Sequence, residues 1–138
     1  MQVIIQQETT GCGIASVANI VQRPYAEVKT VANRLGIYAA DSQLYSDTQY
    51  VRRLLAEYQM DTDSAETPFT TWQQLPDTAL LAIKWHLEQG QPFWHWCVFR
   101  RINGQAMVLD SAAYLTENCI TDLSQLTPKW SIAVQSRS

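Results

Sequence analysis

The sequence predicts an α+β fold, in which a helical N-terminal half packs on an antiparallel β-sheet built by the C-terminal half. Apolar residues recur at helical spacing through the first half of the chain. After Pro68 the period changes, and the apolar stretches become short and strand-like. Between two of these stretches, the Asn103-Gly104 pair favours a two-residue hairpin turn because both positions tolerate positive φ.

Length and composition predict one domain over residues 1–138. A chain of 138 residues that is 46% hydrophobic can bury roughly two thirds of its unfolded surface around a single core. The net charge is -3 and the sequence has no block of Lys or Arg, so it does not predict a basic surface that would bind nucleic acid or an anionic membrane. We therefore expect no nucleic-acid partner.

Neither a targeting segment nor a membrane span is expected. Residues 1–6 lack a basic region followed by a long apolar stretch, and no run approaches the roughly 20 apolar residues of a membrane span. The sequence thus predicts a soluble protein that is cytoplasmic or secreted by a leaderless route.

The cysteines do not indicate a disulfide framework or a zinc site. Cys12, Cys97 and Cys119 are odd in number and lack the close paired spacing of zinc ligands. We expect no metal and no organic cofactor. Cys97 lies in the apolar run 96–99 and is expected to be a small buried core residue.

Three helices are expected in the first half. Thr9 and Thr10 are candidate caps for the first, over residues 12–22, which has an apolar stripe on one face. Pro24 is expected to open the second helix and Gly36 to stop it. The candidate caps of the third are Ser46 and Asp47, and its apolar positions are Val51, Leu54, Leu55 and Tyr58.

The second half is predicted to form the sheet after a short helix around residues 71–75. Strands are expected over residues 79–85, 95–102, 105–109 and 130–134. The hairpin formed by the middle two places His95 at the start of one strand and Asp110 at the end of its antiparallel partner. The two side chains are therefore expected at the same end of the sheet.

Gln6, Cys12, His95 and Asp110 follow one another in the order that a thiol hydrolase needs. A Cys in the first turn of a helix benefits from the positive end of the helix dipole, which favours the thiolate nucleophile. His95 would hold the proton and later donate it to the leaving group, while Asp110 would fix the tautomer of the ring. Gln6 would donate its side-chain N–H to the oxyanion, together with the backbone N–H of Cys12.

Other residues compete for these roles. His86 is the alternative base, although the Glu88-Gln89-Gly90 run after it indicates a solvated loop. Gln7 competes with Gln6 for the oxyanion, and Glu8 is a candidate for a local cap. The alternative orienting groups, Asp122 and Asn118, lie outside the predicted hairpin.

Four motifs resemble the papain-like bacteriocin-processing cysteine peptidases, which cleave leader peptides after a Gly-Gly pair. Residues 6–15 are similar to a family segment in which Gln is followed, after five intervening residues, by Cys-Gly and then, after one more residue, by Ala. Residues 94–98 resemble its His-aromatic-apolar strand, and residues 108–110 its Val-Leu-Asp strand. Residues 36–37 fit its Leu-Gly-aliphatic segment.

This resemblance extends over nearly the whole chain as a stand-alone domain. It implies a papain-like cysteine proteinase fold and a triad of Cys12, His95 and Asp110. Two positions depart from the family: Gly11 replaces the usual Asp, and Ser111 replaces the Pro that commonly follows the acid. These changes leave the catalytic roles intact and leave the substrate groove undecided. No transporter membrane domain follows in the sequence, so leader processing coupled to export is not expected.

Three functions are consistent with these features. The first is a thiol hydrolase that cleaves peptide or amide bonds through an acyl-enzyme at Cys12. The second is a glutamine deamidase or acyltransferase that acts on a partner protein with the same triad, as small bacterial effectors do. The third is a non-catalytic peptide-binding module with a groove lined by Trp85, Trp94 and Trp96. A peptide or protein partner is expected in each case.

Overall fold

The computed structural model describes residues 2–137, and within them three α-helices precede all the strands of a seven-stranded sheet. The helices are α1 Cys12–Val21, α2 Tyr25–Arg34 and α3 Gln49–Ala56. The strands are β1 Met60–Thr62, β2 Thr67–Pro68, β3 Thr78–Glu88, β4 Gln91–Ile102, β5 Gln105–Leu109, β6 Cys119–Ile120 and β7 Trp130–Ser136. Short 3-10 helices cover Ser42–Leu44, Trp72–Gln74 and Leu123–Gln125. The α+β class predicted from the sequence is confirmed.

All strand pairs are antiparallel, and the order along the sheet is β1-β7-β3-β4-β5-β6, with β2 paired to β7. Successive side chains on a strand point to opposite faces, and both faces are covered. Leu80 and Val98 face the helices in the main core. Leu81 and Phe99 face a second core beneath the 3-10 helices. Cys97 is fully buried in this second core, as predicted.

Helix α1 begins at the expected residue, but the predicted residues do not cap it. Gly11 is the N-cap and no side chain caps the helix, so the prediction of Thr9 or Thr10 is wrong. The backbone explains the difference: Gly11 donates its N–H to the Glu8 carbonyl over 3.0 Å, forming a tight turn. A Cβ at Gly11 would collide with the Tyr25 hydroxyl, so packing selects glycine here.

The caps of the other two helices follow the sequence more closely. Pro24 precedes α2 as its N-cap, and Gly36 follows the helix with a φ of 80°. Thr48 is the N-cap of α3, while the Asp47 carboxylate accepts the Gln49 N–H over 2.9 Å. Ser46 does not cap α3, because its hydroxyl donates to the Pro92 carbonyl instead.

The β3–β4 pair is longer than predicted and contains a β-bulge beside His95. Ile83 pairs with His95 and His86 pairs with Phe93, so two residues of β3 oppose one of β4. His86 therefore lies on β3 with its side chain exposed, and the loop predicted after it corresponds to the exposed turn at residues 89–90 that joins β3 to β4. His95 lies inside β4 and not at its start.

The predicted hairpin between β4 and β5 is confirmed. Asn103 and Gly104 have φ values of 52° and 80°, as the two central positions of such a turn require. Strands β1, β2 and β6 were missed because two or three residues are too few to show a period. Among residues 2–137, no helix has the length and apolar character needed to cross a bilayer.

Candidate active site

The hairpin register brings His95 and Asp110 into contact. Val98 pairs with Leu109, and the chain leaves β5 at Asp110 while β4 runs back to His95. His95 Nε2 lies 2.7 Å from Asp110 Oδ1. Asp110 is only 3% exposed, and its Oδ1 also accepts the Ala112 N–H over 3.0 Å. The carboxylate is thus fixed by the fold before it meets the ring.

The predicted rivals of Asp110 have other roles. Asn118 holds the backbone around Asp110: it donates its side-chain N–H to the Asp110 and Ala112 carbonyls over 2.7 and 2.9 Å. Its own carbonyl accepts the Asp110 N–H. Asp122 caps a 3-10 helix by accepting from Ser124. The structure brings neither side chain to His95.

Cys12 opens α1 and lies on the other side of the His95 ring from Asp110. Cys12 is half-buried, and it lies near enough to the ring for its thiol to contribute to the raised pKa of His95. Because Nε2 faces Asp110, Nδ1 is the ring nitrogen that remains for the thiol. This arrangement, with the imidazole between the thiol and the carboxylate, is the one expected of a nucleophilic thiol with its base and orienting acid.

Electrostatics favour a charged imidazolium between the two acidic groups. Burial disfavours the charged ring, but hydrogen bonds to Asp110 and Cys12 outweigh it and raise the pKa of His95 to about 10. Burial opposes ionisation of Asp110 as well, yet its hydrogen bond and ion pair with His95 keep its pKa below the ordinary value. The ring is therefore set to hold a proton at neutral pH.

Gln6 is held beside this site with a defined orientation of its carboxamide. Its Nε2 donates to the carbonyls of Glu8 and Thr9 over 2.9 and 3.0 Å. Its Oε1 accepts the Ser111 hydroxyl over 2.8 Å, and its backbone N–H donates to the Ser111 carbonyl over 3.0 Å. A flipped amide would set Oε1 against two carbonyl oxygens, so the N–H₂ group is fixed toward the loop that precedes Cys12.

A cleft of about 280 Å³ opens at Cys12 and His95, and we call it the Cys12 cleft. Its other lining residues are Thr9, Thr10, Tyr45, Tyr50, His86, Glu88, Phe93, Trp94 and Trp96. Of the three tryptophans considered for a groove, Trp94 and Trp96 line this cleft, and Trp96 is at the same time a core residue that is only 2% exposed. Trp85 is not part of the lining and lies under the Lys129 ammonium, 4.5 Å from Nζ to the ring centre.

Tyr50 closes the floor of this cleft, which no pattern in the sequence indicated. Burial and the charge of Cys12 raise the pKa of its phenol, so the hydroxyl stays protonated. A Cβ at Gly13 would collide with the Tyr50 hydroxyl. The glycine after Cys12 is therefore required by packing against this side chain.

A second cleft of about 320 Å³ also borders His95, and we call it the Tyr114 cleft. Its walls are residues 6–9 and residues 112–114, and it shares Thr9 and His95 with the Cys12 cleft. His95 thus lines two adjoining clefts, and Cys12 lines only one of them. Gln7, the predicted competitor of Gln6, contributes to this wall.

The remaining candidates are engaged elsewhere. His86 lies at the rim of the Cys12 cleft, but its Nε2 pairs with Glu88 at 2.7 Å and its Nδ1 lies 2.9 Å from the Lys84 carbonyl. Glu8 accepts the Tyr25 hydroxyl over 2.7 Å, so it anchors the loop before Cys12 through its side chain. Within residues 2–137, no three His, Cys, Asp or Glu side chains are grouped to hold a metal ion.

The fold is similar to that of two peptidase domains from ABC transporters. One is a double-glycine motif protease from an AMS/PCAT transporter, solved in complex with the leader peptide: 16% identity, TM-score 0.65, covering 98% of this chain and 91% of that one. The other is the peptidase domain of Streptococcus ComA, a bi-functional ABC transporter involved in a quorum sensing pathway: 13% identity, TM-score 0.57, covering 96% of both chains. No protein-family model and no curated protein matches the sequence.

The chain therefore shares the fold of these two peptidase domains, which agrees with the resemblance seen in the sequence motifs. The likeness supports the papain-like architecture predicted from the order of Cys, His and Asp. At these identities it establishes the fold alone.

Proposed function

We propose that this chain is a papain-like cysteine peptidase that uses Cys12 as nucleophile, His95 as acid and base, and Asp110 as the orienting carboxylate. The observation that carries the proposal is the position of His95 between the Cys12 thiol and the buried Asp110 carboxylate. The peptidase domains that share the fold support the same activity.

The reaction has two halves. The Cys12 thiolate attacks the carbonyl carbon, and the imidazolium of His95 donates its proton to the departing amine, which leaves a thioester on Cys12. Water then attacks the thioester while His95 takes its proton, and cleavage of the carbon–sulfur bond releases the acid and restores the Cys12 thiolate and the His95 imidazolium. Asp110 stabilises the charged ring in both halves.

Gln6 supplies the oxyanion donor in this proposal, together with the backbone N–H of Cys12. The Gln6 bond to the Thr9 carbonyl is exposed, whereas its bond to the Glu8 carbonyl is partly buried. The exposed bond is the one that a developing oxyanion replaces, because a charge-assisted hydrogen bond is about twice as strong as a neutral one. Loss of one such donor costs about 100-fold to 1000-fold in kcat.

The two clefts favour cleavage of a peptide chain over hydrolysis of a side-chain amide. A glutamine deamidase releases ammonia, which needs almost no space on the leaving side. Here a cleft of about 320 Å³ lies beside the proton donor and is not lined by the thiol. The neighbouring protease was solved with a leader peptide, and we propose a peptide substrate with small residues before the cut, because aromatic side chains crowd the Cys12 cleft.

The test compares wild type with Cys12→Ala on a panel of peptides that contain a Gly-Gly pair, with products identified by mass spectrometry. We expect fragments from wild type and none from the variant. Cys119→Ala, which alters an exposed cysteine outside both clefts, is the matched control and should cleave normally. Equal cleavage by Cys12→Ala would refute the proposal.

The alternatives give different products in the same experiment. A deamidase or acyltransferase would change the mass of a partner protein without breaking its chain. A binding module would retain peptides uncleaved, and iodoacetamide would fail to label Cys12 in the folded protein. Labelling of Cys12 that is lost in His95→Ala would support the thiol and imidazole pair instead.

A further inference from the structure

The position of His95 between two clefts assigns a direction to the substrate, and this inference rests on the proposed function. A thiol peptidase must place the acyl part of the substrate on the nucleophile and the leaving amine on the proton donor. The Cys12 cleft contains both groups. The Tyr114 cleft contains His95 and Gln6 but not the thiol, so it suits the leaving segment.

Tyr114 is unusual among the residues of this second cleft. It is 71% exposed, yet its hydroxyl is held in place by the Lys84 ammonium, which donates to it over 2.6 Å. Lys84 is itself exposed, but this bond restrains the Tyr114 ring, and a restrained aromatic ring offers an apolar surface at a lower entropic cost of ordering on binding. Ala112 and Ala113 continue the same wall with small apolar side chains.

Lys84 reaches Tyr114 from the bulge in β3. Lys84 and Trp85 together oppose Trp94, and Lys84 has a φ of 56°, a left-handed conformation that is unfavourable for lysine. The bulge follows directly on Ile83, the residue that pairs with His95. The strained residue, Lys84, thus connects the β3–β4 pair that carries His95 to the wall of the Tyr114 cleft.

We propose that Tyr114, positioned by Lys84, is a specificity-determining residue that forms the subsite for the first residue after the cleaved bond. The apolar wall favours a bulky uncharged side chain there over glycine.

The subsite can be tested through the second half of the reaction. An N-acyl-Gly-Gly p-nitrophenyl ester acylates Cys12 and releases nitrophenol. The thioester then partitions between water and an added amine: the amine nitrogen forms the new amide bond, its proton passes to His95, and the carbon–sulfur bond breaks. The amines are leucinamide, glycinamide and aspartic acid amide, and the ratio of aminolysis to hydrolysis reports on the leaving-side cleft alone.

We expect wild type to prefer leucinamide over glycinamide by about tenfold, the ratio that partial burial of one leucine side chain provides. Aspartic acid amide should be a poorer acceptor than leucinamide, because its carboxylate cannot be buried against the apolar wall without losing its hydration. Tyr114→Ala should reduce the preference for leucinamide to within about twofold of glycinamide, and Lys84→Met should reduce it partly, because the ring remains but is no longer held. Tyr38→Ala, a matched exposed tyrosine outside both clefts, should retain the wild-type ratios.

The outcomes separate this inference from the proposed function. Nitrophenol release that does not require Cys12 would refute the peptidase proposal. Release that requires Cys12, combined with an unchanged partition ratio in Tyr114→Ala, would leave the peptidase proposal standing and overturn the role of Tyr114.

Discussion

The hydroxyl of Ser111 donates to the Oε1 of Gln6 over 2.8 Å, although the two residues are 105 positions apart in the chain. Ser111 is 1% exposed and its carbonyl also accepts the backbone N–H of Gln6. The residue after the orienting acid thereby fixes the residue proposed to bind the oxyanion. A proline at this position, as is common in the family that the sequence resembles, has no hydroxyl to make this bond.

Ser111→Ala should lower kcat on the p-nitrophenyl ester by about tenfold and leave KM within about twofold. The Gln6 amide loses its only acceptor contact but keeps its donors, so the effect should be smaller than the roughly 100-fold or greater loss expected when an oxyanion donor is removed outright. Ser131→Ala is the matched control, because that serine is also buried but lies on β7 outside both clefts. An unchanged kcat in Ser111→Ala would show that Gln6 does not need this hydroxyl.

Gly11→Ala should destabilise the protein by about 1–3 kcal/mol, because its methyl group would meet the Tyr25 hydroxyl and force the loop or the helix to move. Urea unfolding of a double-mutant cycle with Tyr25→Phe measures the coupling. Tyr25→Phe alone should also destabilise, since Glu8 loses its 2.7 Å bond. In the double variant the cost of the methyl group should be smaller than in the wild-type background. Strictly additive costs would mean that the Tyr25 hydroxyl does not exclude a side chain at Gly11.

Much of the site follows from local patterns in the sequence. The Asn103-Gly104 turn sets the hairpin register, and the register brings His95 and Asp110 together. The helix pattern after Cys12 places the thiol in a first helical turn. These predictions succeeded because turn chemistry and apolar periodicity operate over a few residues. The prediction of a single domain over residues 1–138 stays a prediction.

What the sequence could not indicate depends on contacts between distant segments. The contact between Ser111 and Gln6 joins residues that are 105 positions apart. The glycines on either side of Cys12 are explained by packing against the hydroxyl groups of tyrosines from α2 and α3. The cap prediction failed because a steric demand from Tyr25 overrode the capping preference of threonine. The bulge at Lys84 was missed because an extra residue in a strand interrupts the two-residue period only locally.

The raised pKa of His95 predicts how both stability and activity depend on pH. The folded-state value of about 10 lies above the ordinary value of 6.5, so the charged ring stabilises the fold fully below about pH 6.5 and loses this contribution as pH rises toward 10. Urea unfolding of wild type and His95→Gln should show their difference in unfolding free energy shrinking by on the order of 5 kcal/mol between these limits, since each pKa unit corresponds to about 1.4 kcal/mol. A constant difference would contradict a charged ring in the folded state.

Activity should follow the same titration, because the imidazolium of His95 donates the proton to the leaving group. We expect kcat/KM on a cleaved peptide to persist to near pH 10 in wild type and to fall beyond it.

Asp110→Asn keeps the size of the side chain but removes the charge and the acceptor strength that hold the ring protonated. Its alkaline limit should therefore move to lower pH, and its maximal rate should fall by at least about 100-fold, since the general-acid contribution is of that size. Asp122→Asn, a carboxylate that caps a 3-10 helix away from His95, is the matched control and should retain the wild-type profile. An Asp110→Asn enzyme that is slower but has an unshifted alkaline limit would mean that the carboxylate orients the ring without setting its charge.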